Sequence, residues 1–146
     1  MRRAVFDTTV LVSAFPNPVK GSPSYDLLTL VNMGTVELIL SDDILEETIN
    51  VLLTTARLRK RYHYTDADAV DYCRALASLA TEVLSKVPQI RIVRDPNDDM
   101  ILACAIAAKA DLLITRDKDL LSLKTHNKIL ISTPEQVLPT LRNAED

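Results

Sequence analysis

Short apolar runs alternate with longer amphipathic stretches along the chain. Five runs of three to five residues are rich in Val, Ile and Leu, and they lie at residues 4–6, 36–40, 90–93, 112–115 and 129–131. Runs of this length and composition are typical of buried strands. Because each connection is long enough to hold a helix, the pattern predicts a three-layer α/β fold with a mainly parallel central sheet.

Capping residues and apolar periodicity predict five helices between and after these strands. Their starts lie at Ser22, Ser41, Thr65, Asn97 and Thr133. The apolar positions of the third helix continue to residue 84, and the fourth helix is apolar nearly all round, which indicates that it is buried. Since no linker or repeat interrupts the pattern, residues 1–146 are expected to form a single domain.

Composition removes several classes of function. The 146 residues are 47% hydrophobic and 25% charged, with a formal net charge of -3, which is typical of a globular protein. Two glycines cannot build a glycine-rich nucleotide-binding loop, and two distant cysteines with two histidines indicate neither a zinc site nor a disulfide framework. No membrane span or signal peptide is recognisable, so we expect a cytoplasmic protein without membrane association.

Acidic residues follow four of the five predicted strands. In chain order these residues are Asp7, then Asp42 and Asp43, then Asp95, Asp98 and Asp99, and finally Asp117 and Asp119. The carboxyl ends of parallel strands share one edge of the sheet, where ligands of α/β proteins bind. Some of these acids are explained as helix caps, but Asp7 lies in an apolar segment and needs a donor or a cation.

A cluster of carboxylates supplies the oxygen ligands that Mg²⁺ and Mn²⁺ prefer. Two such ions about 3.5 to 4 Å apart can cleave a phosphodiester without histidine, cysteine or an organic cofactor. Because the chain is poor in those other catalytic residues, the sequence favours a metal-dependent hydrolase.

Four motifs in this order resemble the PIN-domain ribonucleases, especially the toxin components of bacterial and archaeal toxin–antitoxin pairs. They are VFDTTVL at residues 5–11, ILEE at 44–47, DPNDDMILACA at 95–105 and ITRDKDL at 114–120. The resemblance covers most of the chain. It implies a PIN-like fold, an endoribonuclease dependent on Mg²⁺ or Mn²⁺, and a small antitoxin protein as partner.

The family's acidic residues, carried over by this resemblance, fall on Asp7, Glu47, Asp98 and Asp117. Thr115 and Asp119 are accessory positions, and Asp119 is also a candidate metal ligand beside Asp7, Asp98 and Asp117. Thr9 stands where the family usually has Asn, although its hydroxyl can still bond a carboxylate or a water.

Two of these assignments have an adjacent alternative. Asp99 follows Asp98 and faces about 100° further round the helix, so it remains a candidate metal ligand, although the apolar spacing favours Asp98. Glu46 precedes Glu47, and the buried neighbours of this helix favour Glu47.

A basic run gives the chain a candidate RNA-binding surface. It places four of the 17 cations within five residues: Arg57, Arg59, Lys60 and Arg61. The run either steers phosphates to the acidic cleft or is a solvated helix end whose cations complement the dipole. The nearby Tyr62 and Tyr64 either stack on a base or pack a loop.

Two other functions remain open on the sequence. A catalytically silent PIN-like module that only binds a partner protein or RNA is supported by Thr9. A phosphatase with Asp7 as nucleophile ranks lower, because the second acid that such enzymes commonly have two residues later is absent. A homodimer is also expected, because the helices after Ser22 and Ser41 carry more apolar surface than one domain covers.

Overall fold

The computed structural model describes residues 2–15 and 22–143, which are arranged around one six-stranded sheet. The strands are β1 (Arg2–Phe6), β2 (Val36–Ser41), β3 (Glu82–Leu84), β4 (Leu112–Ile114), β5 (Thr125–His126) and β6 (Ile129–Ser132). Their spatial order is β3-β2-β1-β4-β6-β5, and every neighbouring pair is parallel except β5 with β6. The predicted, mainly parallel sheet is therefore confirmed.

Eight helices among the described residues complete a three-layer α/β/α arrangement. They are α1 (Thr8–Ala14), α2 (Pro23–Asn32), α3 (Asp42–Thr54), α4 (Ala56–Tyr62), α5 (Asp66–Leu79), α6 (Pro96–Ala107), α7 (Lys118–Leu121) and α8 (Pro134–Asn143). The predicted caps form at Ser41, whose hydroxyl accepts from the Ile44 N–H, and at Thr65, which makes a capping box with Asp68. None of the described helices is long and apolar enough to cross a membrane.

The core consists of the central strands and the helix that lies against them. Ala4, Val5 and Phe6 of β1 are fully buried, as is Leu113 of β4. Helix α6 contacts β1, β2 and β4, and its many small side chains let it lie close to the sheet. This buried framework holds the two strand ends that carry the acidic residues.

The third predicted strand is wrong. Residues 90–93 form no strand, and the edge position beside β2 is taken by β3, which the apolar pattern assigns to the end of a helix. Helix α5 ends at Leu79, and the Thr81 N–H then donates to the Leu38 carbonyl, which brings the chain into the sheet. The N–H groups of Ile92 and Val93 bond a side chain instead of a neighbouring strand.

Four short elements and one helix start also differ from the prediction. Helices α1, α4 and α7 and strand β5 are too short to give a clear periodic pattern. Helix α6 begins with Asp95 as cap and Pro96 as first residue, two positions before the predicted Asn97. The predicted single domain includes residues 1, 16–21 and 144–146, which lie outside the described residues.

The sheet topology determines where a cleft opens. β1 lies between β2 and β4, and Phe6 of β1 is in register with Ile114 of β4. The chain leaves β1 for β2 on one side and later returns to β4 on the other, so the strand order reverses here. Such a reversal leaves a crevice at the carboxyl ends of the strands.

Candidate metal centre

Thr115 links two of the predicted acids at this crevice. Asp7 follows β1, and Thr115 follows β4. The Thr115 hydroxyl donates to Asp7 Oδ2 over 2.5 Å and accepts from the Asp117 N–H over 3.0 Å. Because Thr115 is fully buried, its hydroxyl fixes the position of the Asp7 segment relative to the Asp117 segment.

Asp98, Asp117 and Asp119 form a compact cluster beside Asp7. One carboxylate oxygen from each of the three lies within 4.8 Å of the other two. Asp117 caps α7, and its Oδ1 accepts from the N–H groups of Asp119 and Leu120 over 2.9 and 3.2 Å. These bonds orient the carboxylate so that Oδ2 can serve another partner.

The Oδ2 atom of Asp98 is buried and has no hydrogen-bond partner within the described residues. A buried carboxylate oxygen without a donor is costly unless it binds a proton or a cation. The ligand atoms that the neighbouring acids offer are all carboxylate oxygens, the type that Mg²⁺ and Mn²⁺ prefer. The residues present therefore fit a divalent metal ion.

Burial and crowded negative charge perturb the acids of the cleft. Desolvation, a hydrogen bond with Asp117 and the charge of Asp117 raise the pKa of Asp98 to about 7, with smaller contributions from Asp7 and Asp95. The pKa of Asp7 is also raised, mainly by burial, and the Thr115 hydrogen bond only partly opposes this. In the absence of a cation, the cluster therefore holds a proton close to neutral pH.

Helix geometry separates Asp98 from Asp99. Asp98 lines the cleft with Asp7 and Asp117. Asp99 lines a different cavity, and its Oδ1 accepts from the N–H groups of Ile92 and Val93, each over 2.9 Å. The structure thus places the candidate metal ligand Asp99 outside the acidic cluster, where it anchors the segment before α6.

Glu47 and Thr9 line the same cleft, which has a volume of about 770 Å³. Glu47 is half-buried in its wall, whereas Glu46 is exposed and does not line it. The Thr9 N–H approaches Asp7 Oδ1 at 3.4 Å. The structure therefore brings Asp7, Glu47, Asp98 and Asp117 together.

The family model of the PIN domain matches residues 3–119, which include all four of these acids. The chain belongs to the PIN-domain family. Members of this family are generally nucleases, and the acidic cluster lies in the matched part of the chain.

Two known proteins are similar to this PIN domain. The uncharacterized protein MJ1680 of Methanocaldococcus jannaschii is 31% identical over 128 residues, which cover 88% of this chain and 79% of that protein. A chain in the crystal structure of VapBC2 from Rickettsia felis, bound to a DNA fragment from their promoter, matches with a TM-score of 0.61. At 15% identity, covering 90% of this chain and 98% of that chain, this match shows the shared fold.

Arg94 is a residue of this PIN domain's site that sequence reasoning missed. Its Nη2 donates to both carboxylate oxygens of Asp119, over 2.9 and 3.1 Å. The Arg94 side chain is 87% exposed, and the segment that carries it is irregular. Its proximity to Asp119 arises from tertiary packing, and no spacing in the sequence indicated it.

Thr8 was also missed. It lines the cleft, and its hydroxyl is buried without a partner in the part of the chain that the structure describes. The apolar residues around it gave no reason to expect a polar role.

The four residues of the basic run lie in different surroundings. Arg57 is exposed and lines the cleft, and Lys60 and Arg61 are exposed. Arg59 instead forms an ion pair with Asp66 and lies over the Tyr64 ring, 5.6 Å from its centroid. The geometry thus gives Arg59 a role in joining α4 to α5, whereas Arg57 faces the cleft.

Proposed function

We propose that this PIN domain is an endoribonuclease dependent on Mg²⁺ or Mn²⁺, and that it is the toxin of a toxin–antitoxin pair. The observation that carries the proposal is the buried, partnerless Oδ2 of Asp98 inside an all-oxygen cluster. The nuclease character of the family supports it.

In this proposal, Asp7, Asp98 and Asp117 hold the metal ion, Asp119 is an additional ligand, and Glu47 acts from the cleft wall. When bound, the divalent cation would activate a water molecule and neutralise charge on the scissile phosphate. These carboxylates carry too much negative charge to hold an RNA phosphate without that cation.

The chain's own residues would orient the site before substrate arrives. Thr115 holds Asp7 and the start of the Asp117 segment, and both carboxylates line the same cleft. Asp7 caps α1 and Asp117 caps α7, which places partial positive charge from backbone N–H groups beside the acids. Such preorganisation reduces the reorganisation needed during the reaction.

Purified protein should cleave single-stranded RNA in the presence of Mn²⁺ and leave 5′-phosphate and 3′-hydroxyl ends. These ends are expected because water, not the ribose 2′-hydroxyl, is the proposed nucleophile. EDTA should abolish cleavage. Product ends can be assigned by ligation and phosphatase sensitivity, and 2′,3′-cyclic phosphates or full activity in EDTA would contradict the mechanism.

A catalytically silent module that binds RNA or a partner protein is the second candidate. The exposed Thr9 side chain favours it, because Thr9 makes no side-chain hydrogen bond within the described residues. The same assay separates the two functions, because a silent module would bind RNA without cutting it.

Removing the guanidinium of Arg94 should tighten Mn²⁺ binding. Arg94 bonds both oxygens of Asp119 and places a positive charge beside the cluster, so it competes with a metal ion that uses Asp119. Because this ion pair is exposed and screened by solvent, the expected gain in affinity for Arg94→Gln is roughly two- to fivefold. Isothermal titration should show this gain, and the exposed Arg91→Gln serves as the matched control. Equal affinities for wild type and Arg94→Gln would show that Arg94 does not compete with the metal ion for Asp119.

We further propose a cytoplasmic location, a protein antitoxin as partner and a homodimeric state. The structural neighbour comes from a VapBC2 assembly, which supports an antitoxin. An acidic cleft would accept an inhibitor's Arg or Lys in place of metal ions.

Light scattering tests the proposed homodimer. It should report about twice 16.2 kDa, and a monomer at micromolar concentration would contradict the dimer.

A further inference from the structure

Four of the six aromatic rings of this chain gather on one side of the acidic cleft. The chain has two Phe and four Tyr residues. Phe15, Tyr62, Tyr64 and Tyr72 line a shallow cavity of about 480 Å³. The cluster lies where α1, the end of α4 and α5 meet.

Three of these rings pack the fold. The Tyr64 hydroxyl donates to the Leu52 carbonyl over 2.7 Å, and the Tyr72 hydroxyl donates to the Leu11 carbonyl over 2.6 Å. Phe15 stacks on Tyr72 with ring centroids 4.6 Å apart and meets Tyr64 edge-on at 5.2 Å. These three rings contact one another, and the two hydroxyl groups bond backbone carbonyls of the protein.

Tyr62 packs against the same small core cluster as Phe15 and Tyr72, but it differs from the other three rings in its polar and ring contacts. It is half-buried and lines both the aromatic cavity and the acidic cleft. Within the described residues it has no ring partner, and its hydroxyl makes no hydrogen bond. A flat π surface thus borders the cleft that contains the proposed metal site.

Two cations lie beside this ring. The Arg61 guanidinium lies over the Tyr62 ring, 5.3 Å from its centroid, so a base that stacks on Tyr62 takes the other face or replaces Arg61. Arg57 lines the same cleft as Tyr62. Neither arginine takes part in an ion pair with another described residue. An aromatic face with neighbouring arginines matches the chemistry of a nucleotide, because bases stack on aromatic rings and phosphates bind cations.

We propose that Tyr62 stacks on an unpaired RNA base and that Arg57 contacts a phosphate next to it. The α4 side of the cleft is then a single-nucleotide subsite adjacent to the acidic cluster. This inference rests on the proposed function, because it takes RNA as the ligand. The cleft volume of about 770 Å³ lies within the range of about 300 to 1,000 Å³ that is typical of small-ligand pockets. A base in a duplex is already stacked, so the subsite favours single strands.

Binding of short RNAs that carry 2-aminopurine, measured with Ca²⁺ in place of Mn²⁺ so that the acids are neutralised while cleavage is suppressed, tests the subsite. Tyr62→Leu should weaken binding of single-stranded RNA by roughly 5- to 100-fold, whereas Tyr62→Phe, which keeps the ring, should bind like wild type. Tyr25→Leu is the matched control, because Tyr25 is a half-buried tyrosine on α2 that lines neither cavity. Arg57→Gln should reduce the slope of log Kd against log salt concentration by about one.

A second readout does not depend on any variant's stability. Stacking on Tyr62 should quench 2-aminopurine at one position of the RNA bound to wild-type protein, and the quenching should disappear with Tyr62→Leu. Absence of quenching at every position, or unchanged affinity of Tyr62→Leu for single-stranded RNA, would overturn the inference. Equal loss of affinity for single- and double-stranded RNA would also overturn it, because stacking requires an unpaired base.

The outcomes separate this inference from the proposed function. If wild-type protein cleaves RNA with Mn²⁺ but Tyr62→Leu binds normally, only the subsite is wrong. If no cleavage occurs but quenching at Tyr62 is observed, the subsite is supported and the nuclease proposal fails. A wild-type protein that binds no RNA contradicts both.

Discussion

Replacing Asp98 with Asn should reduce metal-dependent RNA cleavage by roughly 10²- to 10³-fold. Asp98 contributes the buried oxygen that lacks a partner, and its ligand oxygen lies within 4.8 Å of those of Asp117 and Asp119. Asparagine keeps the size of the side chain but removes the charge, so it weakens metal binding without opening a cavity. Single-turnover cleavage of labelled RNA at saturating Mn²⁺ measures the effect.

The adjacent residue supplies a matched control for this experiment. Asp99→Asn removes one charge from the same helical turn, and its amide oxygen can still accept from the Ile92 and Val93 N–H groups. Cleavage by Asp99→Asn should remain close to that of wild type. If Asp99→Asn loses activity and Asp98→Asn keeps it, the acidic cluster is not the catalytic site.

Stability of the metal-free protein should fall as pH rises from about 4 to about 7. The folded protein raises the pKa of Asp98 from an ordinary 3.8 to about 7, so it binds a proton more tightly than the unfolded chain does. Stability from this proton is complete below the ordinary pKa and is lost as pH rises through the raised value. Because Asp117 shares the proton, this loss belongs to the Asp98–Asp117 pair and not to Asp98 alone.

Urea unfolding in EDTA at several pH values measures this loss. Asp98→Asn should be more stable than wild type at neutral pH and should show a smaller change across the same interval. Glu46→Gln, which removes an exposed acid outside the cleft, should retain the wild-type slope. Saturating Mn²⁺ should restore stability to the wild type near pH 7, by about 2.7 kcal/mol at 100 times Kd. A wild-type profile no steeper than that of Asp98→Asn without metal would show that folding does not raise the pKa of Asp98.

Regular elements with a strong local signal were predictable from the sequence. Strands β1, β2, β4 and β6 are short, apolar and fully or largely buried, so their composition alone identifies them. The capping box at Thr65 and the Ser41 cap follow from side chains that bond nearby backbone groups, which is also a local property. Asp7, Asp98 and Asp117 were candidates because acids that follow parallel strands meet at one edge of the sheet, whereas Glu47 on α3 was a candidate only through the resemblance to PIN-domain ribonucleases.

Prediction failed where long-range contacts decide between similar local patterns. Residues 82–84 and 90–93 are both short and contain apolar residues, but only the first pairs with β2. The second segment gives two N–H groups to the buried Asp99 carboxylate, which removes them from strand pairing. Nothing in the spacing of the sequence distinguishes these two outcomes.

The sequence by itself determined the α/β class, the strands that carry the acids and the identity of Asp7, Glu47, Asp98 and Asp117 as candidates. The fold class and the acids at strand ends depend on periodicity and on which residues follow a strand, which are local along the chain, whereas Glu47 and the choice among the acids depend on the resemblance of the motifs to PIN-domain ribonucleases. The tertiary structure decided that Asp98 faces the cleft while Asp99 anchors a loop, that Arg94 pairs with Asp119, and that Tyr62 alone among the clustered rings borders the cleft. Each of these depends on contacts between distant segments, whose partners are set only when the sheet and its helices pack.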